Sequence, residues 1–177
     1  LDQLPKFVGD SVDGLWDIKA LPTGRILVQT PYLSSIRGPQ DLVLDPSVRT
    51  TPDGKTFVVE RDPTPQEMSD LLTAWYVNIG TRSNGIVIVK NGVTLAVGSG
   101  QQERVGAVEQ ALVKACQKAM DREEIGYDPL KGILEFHRLS SNPLEGAVVS
   151  SDAFFPNPDS IQRLGRCGIS AIIQPGG

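Results

Sequence analysis

The chain has 177 residues, of which 40% are hydrophobic and 21% charged, and carries a formal net charge of -4. That length and apolar content suffice for one compact domain with its own core and exclude disorder over most of the chain. The acidic balance excludes general nucleic-acid binding, which needs a Lys/Arg excess to neutralise phosphates.

No apolar run approaches the ~20 residues that span a bilayer, so no membrane partner is expected. Cys116 and Cys167 lie outside any CxxC or Cys/His spacing, so zinc is not expected. With no secretory signal, they are read as reduced, buried thiols of a cytoplasmic protein. The chain opens at Leu1 without a Met, as a processed chain or a fragment would.

In chain order, residues 24–30 (Gly-Arg-Ile-Leu-Val-Gln-Thr) form an apolar run closed by Pro31 and predict a buried strand. Residues 41–45 and 55–60 are two further strand candidates, separated by a loop rich in Pro, Thr and Asp. Thr64, Pro65 and Glu67 then read as a capping box with a Pro start. The helix they open places Met68, Leu71, Leu72, Trp75 and Ile79 on one face, read as core.

Two β-rich runs, 85–90 and 93–98, flank Asn91-Gly92, which predicts a hairpin with a type I′ turn. A helix over 102–120 carries an apolar stripe of Val105, Val108, Leu112, Ala115 and Ala119. Residues 121–146 are less legible, with a short strand candidate at 133–136 and the single histidine, His137, just within reach. The last unit is a strand at 146–150 and a helix capped by Asn157 with Pro158 at its first position. Ile161 and Leu164 face the core, Gly168 follows the helix, and a strand closes the unit at 169–173. Strand, helix, strand suits parallel pairing, and the alternation makes the class α/β.

Few residues offer chemistry. Gly98-Ser99-Gly100 precedes a helix without the P-loop Lys or a full GxGxxG. Arg104, in that helix's first turn, opposes the helix dipole and needs a separate reason, either an acid to pair with or an anionic or carbonyl ligand. Asn84 is either a turn residue or a reader of an amide or amino group. In the loop Asp152-Ala153-Phe154-Phe155-Pro156, one aromatic is expected to pack inward while the other lines a flat-ligand slot. Asp159 is either a simple helix N-terminal charge or a ligand contact. His137 has no recognisable triad partner and reads as structural, so no catalytic residue is assigned.

Three ordered blocks carry a resemblance. They are Ser83-Asn84 with Val89-Lys90-Asn91-Gly92, then the run from Gly98 to Val105 (GSGQQERV), then Ser151 to Pro156 (SDAFFP) through Gln174-Pro175-Gly176-Gly177. A weaker block is Asp13 to Lys19. Together they resemble the AICAR formyltransferase domain of the bifunctional AICAR formyltransferase/IMP cyclohydrolase family. The resemblance implies a cytidine-deaminase-like, three-layer fold with a mixed sheet, residues 1–177 matching the second of two tandem subdomains.

It also implies purine biosynthesis, with formyl transfer from 10-formyltetrahydrofolate to AICAR. The expected assembly is a homodimer, or a pairing with a complementary formyltransferase half. Asn84, Gln102, Arg104 and Phe154 match substrate positions. Val105, Pro156 and Asp159 match folate positions, and Asp152 matches a residue of a potassium site. The chain departs from the family in having no Lys-His pair and no cyclohydrolase domain, and in placing Asn157-Pro158 where Phe-Arg usually follows the Pro. Two functions therefore compete: a half-site completed from elsewhere, or a non-catalytic binding or structural paralogue.

Overall fold

In the computed structural model, which describes residues 7–44, 49–50, 56–57, 61–126 and 138–176, the capping box forms as the sequence predicts. The Thr64 hydroxyl accepts from the Glu67 N–H at 3.2 Å, and the Glu67 carboxylate accepts from the Thr64 N–H at 2.8 Å. Helix α1 then runs Pro65–Ile79. Its fully buried face is Glu67, Asp70, Leu71, Ala74 and Asn78. The expected apolar stripe is therefore rotated out of the centre of the contact. Leu71 alone of its members is buried, and Ile79 is 38% exposed. Polar side chains occupy the core-facing positions because each has a partner there.

Asp70 is one of these. Strands β5 (Ile86–Lys90) and β6 (Val93–Gly98) form the predicted antiparallel hairpin, with Asn91 and Gly92 at φ 52° and 74°. The Asp70 carboxylate, 2% exposed, accepts both turn amides, Asn91 N–H and Gly92 N–H, at 2.7 Å each. Helix α1 thus holds the tip of the hairpin directly.

Strand β7 (Val148–Ser151) pairs antiparallel with β5, and β8 (Ala171–Ile173) pairs parallel with β7. The sheet order is β6-β5-β7-β8, a mixed sheet. Ile86 to Val89 are all fully buried, so both faces of β5 are covered. On one face Asn78 of α1 donates to the Ser150 hydroxyl at 3.0 Å. On the other, Ile86, Ile88 and Val149 pack with Val108, Leu112 and Leu164 of α2 (Arg104–Arg122) and α3 (Pro158–Arg166). Because strand side chains alternate between faces, the result is a sheet layered between α1 and the α2/α3 pair.

Gly98 ends β6 where a side chain has no room, since a Cβ there would run into the Ala107 carbonyl oxygen of α2. From the same helix Lys114 and Lys118 donate to the Val97 and Leu95 carbonyls, at 3.2 and 3.3 Å, along the free edge of β6. Helix α3 ends in a Schellman motif. Gly168, at φ 94°, donates to the Gly165 carbonyl, and Ile169 N–H reaches back to the Leu164 carbonyl. Asn157 stands at the N-cap but makes no side-chain cap. Ile161, expected in the core, is 45% exposed. Cys116 and Cys167 are free and buried, as expected.

Residues Leu1–Ser47 form a separate compact unit from Val48–Gly177. In the first, β1 (Asp17–Ala20) and β2 (Ile26–Gln29) make an antiparallel ribbon. The ribbon corrects the expectation of a buried strand. Ile26, Leu27 and Val28 are 66%, 43% and 53% exposed, because no second layer covers them among the described residues of this unit. Pro39–Asp41 is a 3-10 turn, and no strand follows through Leu44, so the strand expected over 41–45 does not form in its described part. Its reason is local, since the Asp41 carboxylate accepts from the Arg37 and Gly38 N–H groups and closes a turn. In the second unit, β3 (Arg49–Thr50) pairs with β4 (Thr56–Phe57), the described part of the strand expected over 55–60. The strand expected at 133–136 and His137 lie outside the described residues.

Candidate functional site

The close approach at Gly98 seats the start of α2 against β6, and Arg104 of its first turn reaches Ser151 at the end of β7. Arg104 therefore projects toward the residues that follow β7 and precede β5. Its Nη1 donates to the Ser151 hydroxyl at 2.8 Å and to Asp152 Oδ1 at 2.6 Å, and its Nη2 donates to Asn84 Oδ1 at 2.9 Å. Asn84 in turn donates from Nδ2 to the Gln101 carbonyl at 2.8 Å. The Ser151 hydroxyl donates in turn to the Ala153 carbonyl at 2.6 Å, which fixes the loop leaving β7. Asp152 N–H donates to the Gly85 carbonyl at 3.1 Å and ties that loop to the start of β5.

The electrostatics follow from this enclosure. The Arg104 side chain is 11% exposed and that of Asp152 20%. Burial alone would raise the Asp152 carboxyl. The Ser83 hydroxyl, Arg104 and the Gly85 backbone outweigh it and hold the group below the usual carboxylate range. Asp152 is thus an anion at neutral pH. Arg104 has five N–H donors, and its Nε–H and second Nη2 hydrogen have no partner among the described residues. That leaves a positioned cation with free donors, suited to a carbonyl, amide or anion.

The sequence-predicted residues divide in two. Asn84, Arg104 and Asp152 are in direct contact, so Arg104 pairs with an acid and Asn84 is more than a turn residue. Val105 lies half-buried beside Arg104. Gln102, Phe154, Pro156 and Asp159 are exposed around this cluster in sequence and make no hydrogen bond to it among the described residues. Phe155 packs against the core while Phe154 is 47% exposed, the division expected of the aromatic pair. Asp159 Oδ1 accepts from the Ser160 N–H at 2.8 Å. Sequence reasoning missed the roles of Ser83, Ser151 and the Gln101 carbonyl. All three residues stood inside the blocks that carry the resemblance, but without a role.

Potassium fits poorly at Asp152. The carboxylate is already neutralised by a guanidinium that would repel a second cation, and the nearby Ala153 carbonyl is taken by Ser151. Among the described residues no group of three or more His, Cys, Asp or Glu could hold a metal, and no helix is long and apolar enough to cross a membrane.

Fold and site together define an α/β protein whose mixed sheet carries a helix-borne arginine held by Asn84, Ser151 and Asp152. A family profile described as the AICARFT/IMPCHase bienzyme matches residues 17–114. The chain is 45% identical over 120 residues to a bifunctional purine biosynthesis protein PurH of Aquifex aeolicus, covering 68% of this chain and 19% of that protein. It is 39% identical over 148 residues to the PurH protein of Anoxybacillus flavithermus, covering 83% of this chain and 24% of that protein. The chain belongs to the AICARFT/IMPCHase bienzyme family of purine biosynthesis. It spans roughly a fifth to a quarter of the length of these relatives.

Proposed function

We propose that this chain supplies the substrate- and folate-binding half of a site for formyl transfer from 10-formyltetrahydrofolate to AICAR. Its fold is then the cytidine-deaminase-like second subdomain of AICAR formyltransferase, acting in the cytoplasm as a homodimer or beside a complementary half. One observation carries the reading. Arg104 is locked by Asn84, Ser151 and Asp152 yet keeps free donors, the arrangement that holds a carboxamide in one orientation. Asn84 and Gln102 flank the carboxamide, and Phe154 offers a flat wall. Val105, Pro156 and Asp159 face the folate.

In the transfer the AICAR amine attacks the formyl carbon, the bond from that carbon to folate N10 breaks, the amine loses a proton to a base, and N10 leaves as N10–H after gaining one. Asp152 is paired and held ionised, so it does not serve as the base. The base comes from a Lys-His pair on another chain or segment. Titration calorimetry with AICAR tests the binding half. Wild type binds and R104A does not, whereas equal binding by both would remove Arg104 from the site. Formyl transfer by the isolated chain at family-like rates would show that no complementary half is needed.

The engagement of Asp152 also favours a second reading, a paralogue that holds AICAR or folate without chemistry. Mixing the chain with a relative's Lys-His half distinguishes the two. Recovered formyl transfer supports the half-site, and binding without turnover supports the paralogue.

A further inference from the structure

Between α2 and α3 lies a groove of about 670 Å³ that the site above does not use. Gln101, Gly106, Glu109, Val113, Arg163 and Arg166 line it. Arg163 pairs with Glu109 across the groove. Cys167, four residues further along, lies close enough to Cys116, seven residues beyond Glu109 on α2, for the two thiols to interact. The contacts advance together along both helices, so the helices run in the same direction. Their first turns carry Val105 and Asp159, the proposed folate positions. At ~1.5 Å per residue, the Glu109–Arg163 level lies ~6 Å beyond those turns and Arg166 ~10 Å beyond.

The two features also share a residue. The Gln101 carbonyl anchors Asn84, and Gln101 lines the groove beside Gly106. The charge is one-sided. Two arginines face one glutamate, and Arg166 has no partner among the described residues. Glu109 already shows that a carboxylate fits against Arg163.

We propose that this groove receives the carboxylate-bearing glutamyl end of the reduced folate, with Arg166 as its principal contact and Arg163 released from Glu109 as the second. The proposal rests on the folate reading given above. It extends that reading from the ring end of the ligand to its acidic tail. A planar guanidinium fork suits a carboxylate bidentately.

Binding of 5-formyltetrahydrofolate and of its pteroate counterpart, which lacks the glutamyl group, tests this. Wild type binds the folate about tenfold more tightly than the pteroate. R166A brings the folate down to the pteroate's affinity, and E109Q, which frees Arg163, tightens the folate alone. Equal affinity of wild type for the two compounds, or an unchanged ratio in R166A, overturns the tail site and leaves the folate reading standing. If wild type binds neither compound, the folate reading falls and the tail site with it. Competition by inorganic phosphate but not by glutarate would overturn the carboxylate assignment.

Discussion

Arg104 Nη1 sits 2.6 Å from Asp152 Oδ1, and the same nitrogen also donates to Ser151. The acid does not consume the arginine. It helps to set the guanidinium plane and leaves the Nε–H and one Nη2 hydrogen without a partner among the described residues.

Replacing Arg104 therefore has two separable effects. If Arg104 holds AICAR as proposed, R104A removes the ligand donors, and it leaves Asp152 without its cation in a mostly enclosed position. The expected loss of stability is about 1–3 kcal/mol. R104K restores charge but not the fork, so it recovers stability better than AICAR affinity. Urea unfolding alongside calorimetry checks this. Equal recovery of both by R104K would contradict the orienting role.

The acid limb of stability follows from Asp152 and Glu67. Glu67 is held well below the usual carboxylate range, chiefly by its hydrogen bond to Arg61, with Ser170 and Thr64 adding to it against burial. Both folded-state values lie below the unfolded ones. The stabilisation is thus complete above the ordinary carboxylate value of about 4, and it is lost as pH falls through the folded values. Thermal melts should be flat from neutral pH down to about 5 and then decline. A D152N/E67Q variant should show a shallower decline, and an identical acid limb would refute the assignment.

Asp70 clamps the hairpin tip, so D70A leaves two turn amides without their buried acceptor. The expected loss is about 2–3 kcal/mol, with the neutral D70N recovering part of it. Amide exchange at Asn91 and Gly92 should quicken in D70A before the rest of β5 and β6 responds. Unchanged exchange there would count against the clamp.

The paired phenylalanines separate binding from folding. F155A should destabilise by about 2 kcal/mol through lost packing, while F154A should leave stability nearly unchanged. If Phe154 walls the ligand, F154A weakens AICAR binding without moving the melting temperature. A melting temperature that falls with F154A would place Phe154 in the core instead.

Much of the second unit was legible in the sequence because its signals are local. Thr64 and Glu67 lie within one turn, and Asn91-Gly92 needs only its own φ values. The rotation of α1 was not legible. Its inward positions include Glu67, Asp70 and Asn78, whose burial depends on partners outside the helix's own periodicity, among them Arg61, the hairpin turn and Ser150, respectively. The ribbon of β1 and β2 misled for the opposite reason, since an apolar run predicts burial only where a second layer exists. In the site, Asn84, Arg104 and Asp152 were flagged by residue type or by family resemblance. That they meet, and that Ser151 joins them, depends on the pairing of β7 with β5.

The two carboxylate clamps differ in how much chain they enclose. Asp70 reaches its turn across 21 positions, whereas Asp152 reaches Arg104 across 48. Closing the shorter loop costs less entropy, so α1 with its hairpin forms a low-contact-order unit that precedes the arrival of β7. The Arg104 cluster is then assembled after the hairpin. Refolding followed by pulsed hydrogen exchange should protect Asn91 and Gly92 before Asp152. On this order, a chain whose hairpin is formed still lacks the Arg104 cluster on which the proposed binding rests.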